Sequence, residues 1–414
     1  MAAKTDMTPK PPSNNASAVV FGAGPVGAAI ALGLQQRGFE VNVYERRSEA
    51  AVTADAGRSI NLALSTRGRA LLNLLGTYDG LESSLVPMRQ RRFSNDTYEK
   101  YREPLQSINR NLLTVKNIDY AKKAGVKFIY DSSFEPSMVN RNTGEIVFGD
   151  GTTQRPKVIV GCDGVNGKVS HLINTDTKRS RKSEWCYMEL TIPPRNPKPQ
   201  GQYLNKDQFE NFLIWPGKAP HNTEFIVGLP NQDGSITLTL FALNEKVLID
   251  NDFSKPIITT EEQLKAHLET TYDDQLHEKM EGTTEDGQNW LNLAAKTGFV
   301  PIMLNEHDNL AGELVRSADP NFKSQYVFLF GDAALGMEQF LGLAINAGFE
   351  GAHRFLEQFD KRLASIEPSD SFWAGQVGAR NILNRGVKAL QMGSHKNAAS
   401  MRDGCDDPLG KAIR

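Results

Sequence analysis

The sequence predicts an α/β fold: a Rossmann-like dinucleotide-binding domain, an inserted domain built mainly of antiparallel sheet, and C-terminal helices. Three observations lead there. A glycine turn, Gly22-Ala23-Gly24-Pro25-Val26-Gly27, stands between an apolar run and a helical pattern. Two further apolar runs, Val158-Ile159-Val160 and Tyr326–Phe330, lead into Asp163-Gly164 and Gly331-Asp332. Between them, strand-like runs at 184–193 and 209–241 are separated by Pro, Gly, Asn and Asp, the punctuation of a meandering sheet.

Taken in order, residues 18–22 read as a short strand, Ala28 to Gln36 as a helix closed by Gly38, and Glu40–Tyr44 as a second strand. That is a βαβ opening, the minimal nucleotide-binding unit. Residues 261–280 carry an amphipathic helical pattern, 326–330 a buried strand, and 345–364 a helix, with helical patterning continuing to about 393. The expected division is a disordered leader at 1–16, the dinucleotide domain at 17–180 and 299–360, and the sheet domain at 181–298. Helices at 361–393 and a mobile tail at 394–414 follow.

Composition narrows the function classes. The 414 residues are 39% hydrophobic and 23% charged, with a net charge of −2. A near-neutral chain lacks the basic surface that nucleic acid requires. Three cysteines, Cys162, Cys186 and Cys405, have neither zinc spacing nor the number for a disulfide framework, and no metal site is expected. No run of eighteen apolar residues occurs, so the expectation is a soluble cytoplasmic protein without a membrane anchor.

The glycine turn fits a pyrophosphate cradle. Gly22 permits the tight turn, Gly24 close backbone approach, and Gly27 close packing of helix on strand. The helix N-terminus offers unpaired N–H groups and a positive dipole end. Glu45, ending the second strand, is placed to accept from ribose hydroxyls. One cofactor touched by three segments so far apart must be long, which favours FAD over NAD.

These residues resemble the class A flavoprotein monooxygenases, whose FAD domain is of the glutathione-reductase type. Gly57-Arg58-Ser59-Ile60-Asn61-Leu62-Ala63-Leu64-Ser65, Tyr187–Pro194, Ile214-Trp215-Pro216 and Asn346–Glu350 are similar to the kynurenine 3-monooxygenase branch. The resemblance implies FAD along Gly22, Gly24, Gly27, Glu45, Asp163, Gly164, Gly331 and Asp332. It adds Arg58, Asn61, Leu62, Arg110, Gly342, Ala344 and Asn346 around the flavin, with Tyr187 and Glu189 in the facing sheet. It also implies NADH or NADPH and O2 as co-substrates, a flavin C4a-hydroperoxide as oxygen donor, and no side-chain nucleophile. A monomer or homodimer is expected.

On the substrate side, Arg91 and Tyr98 take the positions of an Arg–Tyr clamp for a substrate carboxylate. The plainer alternatives are an ordinary salt bridge for Arg91 and a half-buried aromatic for Tyr98. Other positions depart from the branch. Leu335, Gln339, Leu343, Ala344, Ile345 and Gly351 replace a His, Pro, Gln, Gly, Met and Asp, and Trp373 and Val377 replace an Asn and a Met. Hydroxylation of an amino-bearing aromatic acid, kynurenine- or anthranilate-like, is therefore expected beside two rivals. One is a flavin-dependent epoxidase, N-oxygenase or oxidase of secondary metabolism, and the other is a non-catalytic flavin-binding relative. His171 reads as a packed or solvated residue, and Lys178–Lys182 as a solvated basic loop.

Overall fold

The computed structural model describes residues 16–54, 60–94, 97–173, 179–194, 210–219, 221, 223–247, 256–272, 276–284, 287–307, 309–315, 324–337, 342 and 344–363. The expected leader, except Ala16, lies outside them, as do the helices expected beyond 363 and the tail.

The described chain opens with strand β1 (Ser17–Phe21), helix α1 (Pro25–Gln35), strand β2 (Glu40–Tyr44) and the short helix α2 (Glu49–Thr53). Strand β3 (Asn61–Leu64), helix α3 (Thr66–Leu74), the hairpin of β4 (Val86–Phe93) and β5 (Tyr98–Asn109), and helix α4 (Arg110–Lys123) follow. Next come β6 (Lys127–Ile129), a small hairpin of β7 (Ile146–Val147) and β8 (Thr153–Gln154), and β9 (Val158–Gly161). Strands β10 (Arg179–Ile192), β11 (Asn211–Pro216), β12 (Phe225–Pro230) and β13 (Ile236–Leu243) precede helices α5 (Glu261–Thr271) and α6 (Trp290–Thr297). Strands β14 (Val300–Glu306), β15 (Ala311–Val315) and β16 (Gln325–Leu329) and helix α7 (Ala344–Leu363) complete it.

Six strands make the dinucleotide sheet, in the order β15-β16-β9-β1-β2-β6, parallel except for β15 against β16. Its central strands are apolar on both faces, as strands covered on both sides must be. On one face α1, α4 and α7 bury Ile30, Leu34, Leu113, Phe349, Phe355 and Phe359. On the other, Phe21, Tyr44, Phe134 and Phe148 pack together, with the rings of Tyr44 and Phe148 stacked at 4.0 Å. Local chemistry starts and ends the helices. Pro25 occupies the first turn of α1, the Asn109 side chain accepts from Asn111 and Leu112 N–H to cap α4, and Thr260 with Gln263 forms a capping box on α5.

The second sheet has eight strands in the order β14-β10-β13-β12-β11-β4-β5-β3. The expected window for it, 181–298, is too narrow: β3, β4 and β5 from the first portion and β14 from the last all belong to it. The charged hairpin 86–109 alternates too weakly in polarity to announce a sheet strand by periodicity. The expected helix at 261–280 is also divided, with α5 ending at Thr271 and a separate turn at Leu276–Lys279. One face of this sheet is covered by α5 and α6 over Met188, Leu190, Leu213, Trp215 and Ile226. The opposite face carries Ala63, Met88, Val227, Leu229, Phe241, Ile302 and Leu304, with Tyr187, Phe212 and Phe225 packed against them.

Candidate functional site

Strands β1, β9 and β16 end level with one another, Phe21 and Leu329 both pairing with Gly161. The glycine turn, Asp163-Gly164 and Gly331-Asp332 therefore leave the sheet side by side. Their packing has no room for side chains. A Cβ on Gly22 (φ +101°) would sit 2.2 Å from the Cys162 carbonyl oxygen, and one on Gly27 would sit 2.0 Å from that of Gly22. Val26 touches the third loop: a Cβ on Gly331 (φ +60°) would lie 3.4 Å from it, and one on Gly348 2.9 Å. Gly24, Gly164 and Gly342 differ, because a Cβ on any of them would meet nothing within 4 Å. Bare backbone thus faces open space at the N-terminus of α1 and beside both neighbouring loops, the shape an extended phosphate-bearing ligand needs.

The charged groups are arranged around that space. Glu45 is 4% exposed; its Oε2 accepts from Ala23 N–H at 2.8 Å, and its Oε1 accepts from Arg47 N–H and Nε at 3.0 and 2.9 Å. Burial pushes its carboxyl up, but the Arg47 and Ala23 bonds outweigh that and hold it below the usual range. Asp163 Oδ2 accepts from Lys168 and Val169 N–H at 2.6 and 3.0 Å, so this carboxylate organises its own loop. Asp332 has an open surface yet dense protein around it, as a carboxylate at the floor of a cleft does. The surrounding protein raises its pKa and Arg110, the exposed first residue of α4, opposes the rise.

Around the far end of the cleft, polar side chains fix backbone. Asn346, 6% exposed, donates to the carbonyls of Ala63 and Gly342, both at 2.8 Å, and accepts from Ser65. This ties the start of α7, where Ala344 is the first helical residue, to β3. Asn61 donates to the Ser107 hydroxyl at 3.0 Å and to Asn231 Oδ1 at 2.7 Å, while Leu62 pairs with Ile108. Asn61 thus bridges β3 to the β12–β13 turn. A cavity of about 670 Å³ lined by Asn109, Glu189, Asn231, Asp233, Thr237 and Trp290 includes two carboxylates and no Lys or Arg, so it suits phosphates poorly. Arg58, Gln339, Leu343, Trp373 and Val377 lie outside the described residues. Leu335 is buried in the apolar cluster with Val169, Leu172 and Leu329.

The Arg91–Tyr98 clamp is not assembled. On the β4–β5 hairpin Arg91 pairs with Glu99 and Arg92 with Tyr98, so Arg91 and Tyr98 point to opposite faces. Tyr98 is 44% exposed beneath the Arg92 guanidinium. Arg91 shares its face with Phe212, its partner on β11, and so stands on the aromatic face with Tyr187, Phe225 and Phe241. It is 7% exposed, 3.4 Å from a Glu99 carboxylate oxygen, and its guanidinium lies 5.6 Å from the ring centroid of Tyr101. Counting back from Arg110 points to Tyr98. The hairpin register, which puts Glu99 and Tyr101 beside Arg91, was the missed signal.

No family model matches the chain. Curated relatives do. It is 31% identical to kynurenine 3-monooxygenase of Sus scrofa over 367 residues, covering 83% of this chain and 69% of that protein. The chain belongs to the kynurenine 3-monooxygenase family. The Flavobacterium johnsoniae kynurenine 3-monooxygenase is 27% identical over 356 residues, 83% of this chain and 72% of that protein. Among solved structures, 2-methyl-3-hydroxypyridine-5-carboxylic acid oxygenase superposes with a TM-score of 0.68 at 18% identity, 96% of each chain being covered. PqsL of Pseudomonas aeruginosa superposes at 0.66 and 17% identity, over 97% of this chain and all of that one. Both share the fold. A kynurenine 3-monooxygenase relative is an FAD-dependent NAD(P)H monooxygenase of aromatic compounds, and the open space beside Gly24, Gly164 and Gly342 suits FAD. No described helix is long and apolar enough to cross a membrane.

Proposed function

We propose that the protein hydroxylates an amino-bearing aromatic acid, kynurenine- or anthranilate-like, using NAD(P)H and O2. The observation that carries this reading is Arg91, a buried guanidinium 5.6 Å from the Tyr101 ring centroid and paired with Phe212 across β11, on the sheet face that also carries Phe225 and Phe241. An aromatic ring finds stacking partners there and a carboxylate finds a fork-shaped donor. Glu99 beside Arg91 supplies an acceptor for an amino group.

FAD, when bound, supplies redox and oxygen-transfer chemistry that no side chain offers. The residues proposed to hold it are Gly22, Gly24 and Gly27 at the pyrophosphate, Glu45 at the adenosine ribose, and Gly331 and Asp332 along the ribityl chain. Asp163 and Gly164 shape the middle loop. Gly342, Ala344 and Asn346 set the α7 N-terminus, and Arg110 supplies positive charge opposite Asp332. Tyr101, on the same face as Arg91, is the aromatic partner of this clamp, and Tyr98 lies on the other face. The protein's remaining tasks are to orient the ring and to keep water from the reacting atoms.

Supplying the FAD-loaded protein with NAD(P)H and a panel of amino-aromatic acids tests this reading. Substrate-stimulated NAD(P)H oxidation with a product one oxygen atom heavier is expected. A product lighter by two hydrogens would mean an oxidase instead.

A further inference from the structure

We propose that Asn305 is a positioning residue for the flavin: through this one amide the substrate-facing sheet holds two of the cofactor's loops in register. This rests on the FAD reading above. Asn305 lies near the end of β14 and is 2% exposed. Its Nδ2 donates to the Val165 carbonyl at 2.6 Å and to the Asp332 carbonyl at 3.0 Å. Both partners accept only, so the geometry fixes which end of the amide faces them.

Val165 follows Asp163-Gly164, and Asp332 is the acid of the third loop. An amide nitrogen carries two protons, and here one goes to each loop. A serine hydroxyl has one proton to give, and an aspartate would turn an acceptor toward two carbonyls. The same strand supports the third loop a second time. A Cβ on Gly336 would come within 2.8 Å of Asn305 N and 3.0 Å of the Met303 carbonyl, so the chain after Asp332 lies directly on the β14 backbone. Fixing the carbonyl of Asp332 fixes the peptide that aims its side chain. Asn305 itself touches no cofactor loop side chain in this pair of bonds; it acts through the two loops.

The experiment compares FAD affinity, by flavin fluorescence, with apo-protein melting for wild type, Asn305→Asp, Asn305→Ser and a control, Asn244→Ser. Asn244 is also buried and donates to a carbonyl, Ser183 at 2.6 Å, but belongs to neither loop. Both Asn305 variants are expected to raise the FAD Kd about tenfold or more and to restore part of the fluorescence of bound flavin. Asn244→Ser is expected to lower the Tm and leave the FAD Kd at its wild-type value. If Asn305→Asp does not fold, Asn305→Ser decides. Wild-type FAD affinity in the Asn305 variants, or equal weakening in Asn244→Ser, overturns the proposal. A wild-type chain that takes up no FAD removes the flavin reading itself, a result distinct from either.

Discussion

Asn346 Oδ1 accepts from both the N–H of Ser65, at 2.9 Å, and its hydroxyl, at 3.1 Å, locking the start of α7 onto the entrance of α3. The other half of the amide donates to Ala63 and Gly342. Every polar atom of this buried side chain is therefore spent on backbone or on Ser65. Asn346→Ala leaves the buried Ala63 carbonyl unpaired and removes the partner of the half-buried Gly342 carbonyl and Ser65 N–H, and is expected to cost about 2 kcal/mol in urea unfolding. Asn346→Asp keeps the bonds from Ser65 but turns an anionic oxygen toward the two carbonyls, so it is expected to cost at least as much as Asn346→Ala at neutral pH. Equal stability of wild type and Asn346→Ala would remove the lock.

Gly24 and Gly27 make opposite predictions although they share one motif. Gly27→Ala drives a methyl group to 2.0 Å from the Gly22 carbonyl oxygen and is expected to unfold the turn, visible as a lowered Tm. Gly24 has φ −67° and open space beyond it, so Gly24→Ala is expected to melt with the wild type. Its methyl group occupies the lane proposed for the pyrophosphate, and FAD affinity is expected to drop about a hundredfold. Undiminished FAD binding by Gly24→Ala would put the cofactor elsewhere.

The hairpin register separates the two tyrosines. Arg91→Ala is expected to raise the substrate KM about thirtyfold or more, and Tyr101→Ala to raise it several-fold. Tyr98→Ala, on the far face, is expected to leave kinetics unchanged. Steady-state kinetics on the three variants checks this, and a Tyr98→Ala effect larger than that of Tyr101→Ala would restore the original pairing.

Acid stability follows from the signs at two carboxylates. Glu45 has its folded-state pKa depressed, so its contribution is present above the unfolded value of about 4.3 and is lost as pH falls through the folded value. Glu45→Gln is expected to flatten the loss of stability below about pH 4.3. Asp332 has the opposite shift: its raised folded pKa disfavours the folded state above the unfolded value. Asp332→Asn is expected to raise the apo Tm slightly at neutral pH while weakening FAD, with the stability gain vanishing in acid. A lowered apo Tm for Asp332→Asn would contradict the sign.

Much of the dinucleotide half was legible in the sequence. The apolar runs at 17–21, 158–161 and 325–329 are central strands covered on both faces, so hydrophobicity alone marks them. Their loops are marked by glycines: packing leaves no room for a Cβ at Gly22 and Gly27, and Gly164 and Gly331 take positive φ. The substrate side was less legible because its residues come from pairing. Glu99 and Tyr101 stand beside Arg91 through an inter-strand register that the β4–β5 turn sets, and no local pattern reports it. The eight-stranded sheet was underestimated for the same reason, since the charged β4–β5 hairpin is a strand by partnership. Asn305 was invisible, as its two partners lie on loops distant from it in sequence.

Titrating flavin-free protein with FAD, wild type beside Gly24→Ala, tests the convergence of the three loops most directly. One FAD bound per wild-type chain, with quenched fluorescence and a Tm raised by the ligand, is the predicted result, and Gly24→Ala should show neither at the same concentration. A wild-type protein that stays colourless and melts at the same temperature with or without FAD would contradict the account.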